Sequence, residues 1–219
     1  PFDWSNAADA ANPYANRDPR LAATVVYNGS TFSSTVIETF RGGNSGLPKL
    51  NATKTGYYLS KWVNQSVDLV AGTSTAHTWI YFRYGEILLD YAEAMYNAYG
   101  ATADPEGYGM TALAAINLVR QRVKMPALTA AQLNQQSIEH ERNVELGFED
   151  QRLWDVRRWK EGTTYFNKPV NRIEITKDGS AYTYSVTKLE NRTFSDKMDW
   201  YPVPQDEITK TGWTQNTGW

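Results

Sequence analysis

Charged residues crowd the stretch EHERNVELGFEDQRLWDVRRWKEG, which spans residues 139–162. We take residues 139–160 as one helix and step about 100° per residue. The aliphatic side chains then fall in one sector, and some of the charged side chains fall in the same sector. These charged residues are Arg142, Glu145, Glu149 and Arg152. Because an aliphatic sector faces the interior of a fold, their charges are predicted to be buried in pairs or covered by other polar groups.

A catalytic pair is the first interpretation of this stretch. Glu145 and Glu149 lie one helical turn apart and could serve as the general acid and base of a glycosidase. Each has Arg142 or Arg152 within one turn, and such a neighbour lowers the pKa of a carboxyl group. A general acid needs a raised pKa. The pattern therefore argues against catalysis, and the protein is predicted not to be an enzyme.

Two further interpretations treat the charges as structural. One is a solvated ladder of salt bridges, which the shared aliphatic sector opposes. The other, which we favour, is an internal ion-pair network that ties this helix to neighbouring helices and loops. Arginine suits that role because its planar guanidinium group pairs in two ways with a carboxylate. Arg83 and Glu86 of an earlier helix are the predicted partners from outside the stretch.

Composition narrows the classes of function. The chain has 219 residues, of which 41% are hydrophobic, and a net charge of −2. It has enough apolar residues for a core and lacks the basic excess typical of nucleic-acid binding. Cysteine is absent and there are two histidines, so no cysteine or multi-histidine metal site is predicted, while carboxylate sites for calcium stay open. No cofactor is predicted, and no apolar run has the length of a membrane-spanning helix.

We predict a single region over residues 1–219, within which the pattern changes twice. Residues 1–78 are rich in turn-forming residues and are predicted to form loops with short strands. Residues 79–162 carry apolar side chains at spacings of three and four, which predicts helices. Residues 163–219 are predicted to hold a β-hairpin and a tail rich in Pro and Trp.

The first two helices are predicted to form an antiparallel pair. The first starts near Trp79 and ends at Gly100, with Tyr84 and Ile87 on its apolar face. The second stops before Pro126. A short loop joins them, which is the arrangement of a helical hairpin.

The third helix is predicted to start near Thr129 and to end at Gly162. Thr129 and Gln132 have the spacing of a capping box, in which two side chains satisfy free backbone amides at a helix start. An interruption is expected at Gly147. Beyond the helix, the alternating pattern around Asp178 and Gly179 predicts a β-hairpin with its turn at these residues.

Several motifs, in one order, resemble a known family. They are NRDPRL from residue 16, RYGEILLDYAEAMYN from residue 83, AINLVRQRV from residue 115, ERNVELGFEDQRLWDVRRW from residue 141, YPVPQDEI from residue 201 and the terminal QNTGW. Together they resemble the C-terminal half of SusD/RagB-like proteins over residues 12–219. In that family the motif that holds Glu145 and Glu149 is architectural, which favours the internal network.

The resemblance implies a mainly α-helical SusD-like fold with tetratricopeptide-like helix pairs, loop-rich excursions and a small β-hairpin. It also implies a surface-exposed protein of the outer membrane of Bacteroidetes. Such a protein binds a polysaccharide or oligosaccharide for uptake through a SusC-like TonB-dependent transporter. Family members are considerably longer and carry a lipidated N-terminal cysteine. This chain is therefore expected to be a fragment whose lipid anchor lies outside it.

A carbohydrate site pairs aromatic rings with polar side chains. The resemblance implies that ligand contacts come from variable loops, and residues 1–78 are rich in loops. The predicted ligand-binding residues are Trp4, Asn12, Tyr14 and Arg41. Structural alternatives stay open: Trp4 could cover the edge of a core, and Tyr14 could pack beneath the segment that follows it.

Other residues are assigned structural roles, and other functions stay open. Arg17 and Asp18 are predicted to form an ion pair. The rings predicted to hold the tail against the helices are Trp200, Trp213 and Trp219. A helical protein-interaction scaffold without a small ligand predicts that the rings of residues 1–62 are buried. A glycan-cleaving enzyme predicts two carboxylates that face one cleft without arginine partners.

Overall fold

The computed structural model describes residues 2–68 and 70–219. It divides into two compact units, each built from two separate segments of the chain. Unit 1 consists of Pro1–Glu38 and Tyr57–Glu149. Unit 2 consists of Thr39–Gly56 and Asp150–Trp219.

Unit 1 is mainly helical. Its helices are α1 (Ala7–Ala11), α2 (Arg20–Thr24), α3 (Tyr84–Tyr99), α4 (Ala112–Arg122) and α5 (Gln135–Glu145). Its strands are β1 (Val25–Val26), β2 (Thr31–Phe32), β3 (Thr35–Val36) and β4 (Tyr58–Leu59). The strands form two short antiparallel pairs, β1 with β4 and β2 with β3.

The core of unit 1 lies between α3, α4 and α5. Its buried residues are Leu88, Leu89, Ala92, Met95, Ala112, Ala115, Ile116, Val119, Leu133, Ile138 and Leu146. Those of α3 and α4 recur largely at spacings of three and four, so each of these two helices turns one apolar stripe inward. Helix α5 contributes Ile138 to the core, and its other buried residues are charged. The predicted antiparallel pair of helices is present as α3 and α4, and Gly100 ends α3 with a φ of 81°, a conformation that favours glycine.

The structure corrects the start and the buried face of the first helix. The helix begins at Tyr84 rather than at Trp79. Tyr84 and Ile87 are exposed, while Glu86 and Glu93 are buried on the inward side. Carboxylates occupy this side because a cation lies there, with Arg142 Nε 3.8 Å from a carboxylate oxygen of Glu93.

The predicted third helix is two helices, and the interruption expected at Gly147 is confirmed. Its start is wrong: Thr129 and Gln132 form a turn, and α5 is capped by Asn134 together with Ser137 in a capping box. The helix ends at Glu145, and the next, α6 (Gln151–Arg158), belongs to unit 2. Phe148 and Asp150 between them have a φ of 62°, which no α-helix contains.

Unit 2 holds the longest strands of the chain. Its elements are α6, α7 (Gly162–Phe166), β5 (Val170–Asp178), β6 (Ala181–Glu190), a 3₁₀ turn (Asp196–Asp199) and α8 (Gln205–Thr211). The predicted hairpin is confirmed, with its turn one residue later than predicted: β5 and β6 pair antiparallel with Asp178 opposite Ala181, so that Gly179 and Ser180 form the turn. Val156, Ile173, Ile175 and Phe194 are buried.

The C-terminal tail is tied down chiefly by Trp219 and Tyr201. Trp219 Nε1 donates to the carbonyl oxygens of Lys197 and Trp200 at 2.9 and 3.1 Å. The ring that contacts α6 belongs to Tyr201, which lies 6.0 Å from the ring of Trp154. Trp200 and Trp213, which were also predicted to hold the tail, are largely exposed. In the part of the chain that the structure describes, no helix is both apolar enough and long enough to cross a lipid bilayer.

Candidate ligand-binding site

A cluster of carboxylates and guanidinium groups lies at the end of α5. Glu145, whose side chain is 1% exposed, lies at its centre. Its Oε1 accepts hydrogen bonds from Arg83 Nη1 at 2.6 Å and from Arg122 Nη2 at 2.7 Å. Its Oε2 accepts from Arg20 Nη1 at 2.9 Å. Three segments that are distant in sequence therefore meet at one carboxylate.

Glu141, one turn earlier in α5, extends this cluster. It accepts from Arg20 Nη1 at 2.7 Å and from Arg120 Nη1 at 2.6 Å. Arg142 lies beside it in α5 and donates to Asp90 of α3. We refer to Arg20, Arg83, Arg120, Arg122, Glu141, Glu145 and Glu149 as the ion-pair cluster.

The cluster keeps the carboxylate of Glu145 ionised. Burial on its own raises the pKa of Glu145, but the hydrogen bonds from Arg83 and Arg20 outweigh burial and hold that pKa below its usual range. Glu149 accepts from Arg83 Nε at 2.6 Å and from Lys61. A carboxylate held in this way cannot act as a general acid near neutral pH. The geometry suits a structural role and opposes acid–base chemistry.

Arg152 lies elsewhere, which corrects its predicted place in the network. It belongs to α6 in unit 2 rather than to the helix that carries Glu145. Its guanidinium carbon lies 4.2 Å from the centre of the Tyr165 ring, a cation–π geometry. The prediction relied on one continuous helix, and the break after α5 removes that continuity.

A groove near the N-terminus of unit 1 holds one of the predicted ligand-binding residues. We name it the N-terminal groove; its lining includes Phe2, Asp9, Asn12, Asn16, Arg17 and Met125. Asn12 and Arg17 are both exposed. The predicted pair of Arg17 with Asp18 is wrong, because Asp18 pairs with Arg20 at 2.7 Å while the Arg17 guanidinium lies over Phe2 at 4.1 Å.

Trp4 reaches this groove through Phe2. The two rings pack edge to face with their centres 5.0 Å apart. Trp4 keeps 36% of its surface exposed. Trp4 itself lies outside the groove lining, but its indole contacts Phe2, and Phe2 and Arg17 line the groove together with Asn12.

Tyr14 lies in a stack of aromatic rings within unit 1. Its ring centre is 4.1 Å from that of Tyr27 in a stacked geometry and 6.2 Å from that of Tyr57, which meets it edge on. The face of Tyr14 that lies on Tyr27 is covered by protein. This arrangement favours the packing alternative for Tyr14 over direct contact with a ligand.

Arg41, the fourth predicted residue, belongs to unit 2. It lines a pocket between the segment 39–56 and strand β5, together with Thr39, Thr53, Lys54, Arg172 and Glu174. We refer to it as the hairpin pocket. The prediction thus grouped residues that the structure assigns to different units: Trp4, Asn12 and Tyr14 belong to unit 1, and Arg41 to unit 2.

A further aromatic pair was not predicted. Trp62 and Trp79 stack with their ring centres 6.3 Å apart and an angle of 18° between the planes. The Nε1 of Trp62 donates to the carbonyl oxygen of Phe148 at 2.8 Å, which fixes the indole. Trp79 opens an exposed run, Trp79–Phe82. The four consecutive apolar residues of this run lack helical spacing, and that signal could have separated them from α3.

Comparison with known proteins defines the class to which this architecture belongs. The model of the SusD family matches residues 3–219, and the chain belongs to that family. A SusD-like protein from Bacteroides fragilis has a similar crystal structure, with a TM-score of 0.79 and 32% sequence identity. The match covers 94% of this chain and 40% of that one, so this chain spans less than half the length of its relative. No curated protein matches.

These findings confirm two predictions from the sequence. The resemblance to SusD/RagB-like proteins is confirmed by the family match, and the mainly α-helical SusD-like fold is confirmed by the structural match. Within residues 2–68 and 70–219, no group of three or more His, Asp and Glu side chains is placed to hold a metal ion.

Proposed function

We propose that this protein binds carbohydrate at the bacterial cell surface and delivers it to a SusC-like TonB-dependent transporter. Membership of the SusD family over residues 3–219 supports a role in carbohydrate binding for nutrient uptake. The observation that carries the proposal to particular residues is the N-terminal groove, in which polar side chains adjoin the ring of Phe2, and Phe2 packs against the exposed ring of Trp4.

The groove has the chemistry that a sugar ring requires. The ring of Trp4 offers an apolar face to the C–H groups of a pyranose. The amide of Asn12 both donates and accepts hydrogen bonds, and the guanidinium group of Arg17 donates them. No covalent step is involved. The dissociation constant for a single oligosaccharide is expected to be on the order of micromolar to millimolar. The free energy gained by stacking at an exposed site exceeds the entropic cost of association only slightly.

Binding to a panel of oligosaccharides, measured by isothermal titration calorimetry, tests this site. Trp4→Ala is expected to weaken binding about tenfold, because a stacked ring contributes on the order of 1 kcal/mol or more beyond its buried area. Trp213→Ala is the matched control, since Trp213 is 62% exposed and belongs to unit 2. Equal affinity of Trp4→Ala and the parent protein would remove the groove as the site.

The proposal is for a binding protein rather than an enzyme. This proposal is supported by the ion pairs that Glu145 and Glu149 form with Arg83, because such pairs oppose a role in acid–base catalysis. Purified protein incubated with a polysaccharide panel is expected to release no reducing sugar. Release of sugar that Glu145→Gln abolished would reverse this assignment in favour of a glycan-cleaving enzyme.

The proposed location is the outer surface of the outer membrane, with a lipid anchor as the means of attachment and a SusC-like transporter as the partner. Protease treatment of intact cells is expected to degrade the protein, and detergent extracts are expected to yield it together with the transporter. Copurification that is unaffected by Trp4→Ala would show that the groove and the transporter contact are separate.

A protein-interaction scaffold without a small ligand is the second candidate. One observation favours it: the run Trp79–Phe82 is exposed over four consecutive apolar residues, and exposed apolar patches mark interaction surfaces. This function predicts copurification with a protein partner and no change in the intrinsic fluorescence of the protein with any oligosaccharide. Binding of an oligosaccharide that Trp4→Ala weakens would decide against it.

A further inference from the structure

The hairpin pocket of unit 2 is lined mostly by cationic and hydroxyl-bearing side chains. Arg41, Lys54 and Arg172 bring three positive charges to it, against one carboxylate, that of Glu174. Its volume is about 220 Å³. Pockets that enclose drug-sized ligands measure roughly 300–1,000 Å³, so this one suits a single charged group or one sugar unit of a longer chain.

The segment that carries Arg41 and Lys54 is held by close backbone contacts. Gly42 N donates to the carbonyl oxygen of Leu47 at 2.7 Å, which closes the loop next to Arg41. A Cβ at Gly46 would lie 1.9 Å from the carbonyl oxygen of Phe40. Only glycine fits at such an approach, so Gly46 allows the close packing of the loop that carries Arg41.

The other end of the segment is fixed to strand β5. Ile173 N donates to the carbonyl oxygen of Thr55 at 3.0 Å. Gly56 has a φ of 89°, and a Cβ there would lie 2.4 Å from Cγ2 of Ile173. This contact places Lys54 against the strand that carries Arg172. The segment 39–56 and strand β5, which together line the pocket, are therefore joined by a backbone hydrogen bond.

The cations of the pocket differ in their partners. Arg172 donates to Glu174 and, through Nε at 3.1 Å, to the hydroxyl of Thr187. Over the described residues, neither Arg41 nor Lys54 has a carboxylate within 4.0 Å, and both are exposed. Two positive charges at one pocket without negative partners repel each other, and an anion that joins them relieves that repulsion.

We propose that the hairpin pocket binds an anionic group, a carboxylate or a sulfate ester, on the carbohydrate that the protein takes up. This rests on the proposed function and adds to it the class of ligand: an acidic glycan. The planar guanidinium group of Arg41 can donate two parallel hydrogen bonds to the anion. The ammonium group of Lys54 adds a second positive charge beside it. Thr53 also lines the pocket, and its hydroxyl group provides a further hydrogen bond.

Titration with oligogalacturonate and with its methyl ester tests the proposal, because esterification removes the charge of each carboxyl group by adding a methyl group and leaves the sugar rings unchanged. The free acid is expected to bind at least about tenfold more tightly than the ester, the size of one charge-assisted hydrogen bond. A sulfated oligosaccharide, titrated in parallel, distinguishes sulfate from carboxylate as the anion. Amide signals of Thr53 and Gly56 in NMR spectra are expected to shift with the acid and not with the ester.

Variants locate the effect within the pocket. Arg41→Gln and Lys54→Gln are each expected to lower the affinity for the acid about fivefold to tenfold and to leave affinity for the ester unchanged. Lys49→Gln is the matched control, because Lys49 is an exposed cation of the same segment outside the lining. Glu174→Gln is expected to raise affinity for the acid, since it removes the one carboxylate of the pocket.

The outcomes separate this proposal from the function on which it rests. Equal binding of acid and ester, or an equal loss with Lys49→Gln, overturns the anion site and leaves carbohydrate binding standing. Binding of the acid that Arg41→Gln weakens, with no binding of any neutral oligosaccharide, supports the anion site and confines the ligand to acidic glycans. Absence of binding to every probe overturns both.

Discussion

The ion-pair cluster of unit 1 and the hairpin pocket of unit 2 contain the same kinds of charged residue, but these residues have different roles. In the cluster, every guanidinium group named above donates to at least one carboxylate, and Glu145 accepts from three arginines. In the pocket, which Glu174 also lines, neither Arg41 nor Lys54 has a carboxylate within 4.0 Å over the described part of the chain. The difference teaches that the partners of an arginine, rather than its presence, indicate whether it holds the fold or awaits a ligand.

Burial explains why the two regions differ. The Glu145 side chain is 1% exposed, and an ionised carboxylate removed from water is costly unless cations surround it. Arg41 is exposed, so water solvates its charge and no protein partner is needed. A surface cation can therefore be kept for a ligand at little cost in stability, while a buried one cannot.

The largest expected effect comes from Arg20→Met. Arg20, whose side chain is 9% exposed, donates to Glu141 and Glu145. Its removal leaves buried carboxylates short of a partner and is expected to lower the free energy of unfolding by about 3 kcal/mol, measured by urea denaturation. Arg122→Met is the control: Arg122 contacts the same Glu145 but is 60% exposed, so a loss of about 1 kcal/mol or less is expected. Equal losses would contradict the role given to burial.

Glu145→Gln is expected to cost about 2 kcal/mol at pH 7, because the charge that strengthens its hydrogen bonds is lost. The folded-state pKa of Glu145 lies below its unfolded value. The stability that this charge contributes is therefore present above the unfolded pKa of about 4.3 and is lost as the pH falls through the folded pKa. Urea midpoints of the variant and the parent are expected to converge as the pH is lowered below 4. A gap that stayed constant from pH 7 to pH 3 would count against this account.

Glu86→Gln is expected to act in the opposite direction. Burial raises the pKa of Glu86, and the like charge of Asp90 adds to the shift, while Arg142 opposes it. A raised folded-state pKa favours folding below the unfolded pKa, and this contribution is lost as the pH rises through the folded pKa. The variant is expected to gain less than about 1 kcal/mol at pH 7 and to lose that gain on acidification. Destabilisation at pH 7 would instead reveal a pairing of Glu86 with a cation.

The smallest effect is expected in the hairpin pocket. Arg41→Gln and Lys54→Gln should each change the free energy of unfolding by no more than about 0.5 kcal/mol, because exposed side chains without partners contribute little to folding. Chemical denaturation of both variants beside Arg20→Met measures the contrast directly. A loss above 2 kcal/mol for either variant would place that cation in the framework of unit 2.

The sequence predicted the elements that rest on local signals. The periodic apolar residues of α3 and α4 and the Asp178–Gly179 hairpin pattern each identify an element from its own residues. The predicted third helix had the wrong start, and its charged residues were assigned to one helical face although the interruption expected at Gly147 is present. Helical spacing continues across Phe148 and Asp150, and only their left-handed backbone conformation interrupts the helix. That conformation has weak sequence signals in residues other than glycine and asparagine.

The candidate site was harder to predict because its geometry depends on long-range contacts. Trp4, Asn12, Tyr14 and Arg41 share a type of chemistry and a loop-rich segment, yet the stack with Tyr27 covers one face of Tyr14, and Arg41 belongs to unit 2. The partners of Arg41 could not be counted from sequence, since two partners of a residue such as Arg20, the carboxylates of Glu141 and Glu145, lie more than a hundred positions away. Residue types identify candidates, and tertiary contacts select among them.

The division of unit 2 into two segments has a consequence for how the protein folds during synthesis. The segment 39–56 leaves the ribosome well before Ile173. The side chain of Ile173 packs against Gly56 in the folded unit. The segment must wait unpaired until the β5–β6 hairpin appears, and domains of a nascent chain generally fold as they emerge. Ribosome-bound chains that end before strand β5 are therefore expected to show a protected α3–α4 pair and a protease-sensitive stretch around Lys54.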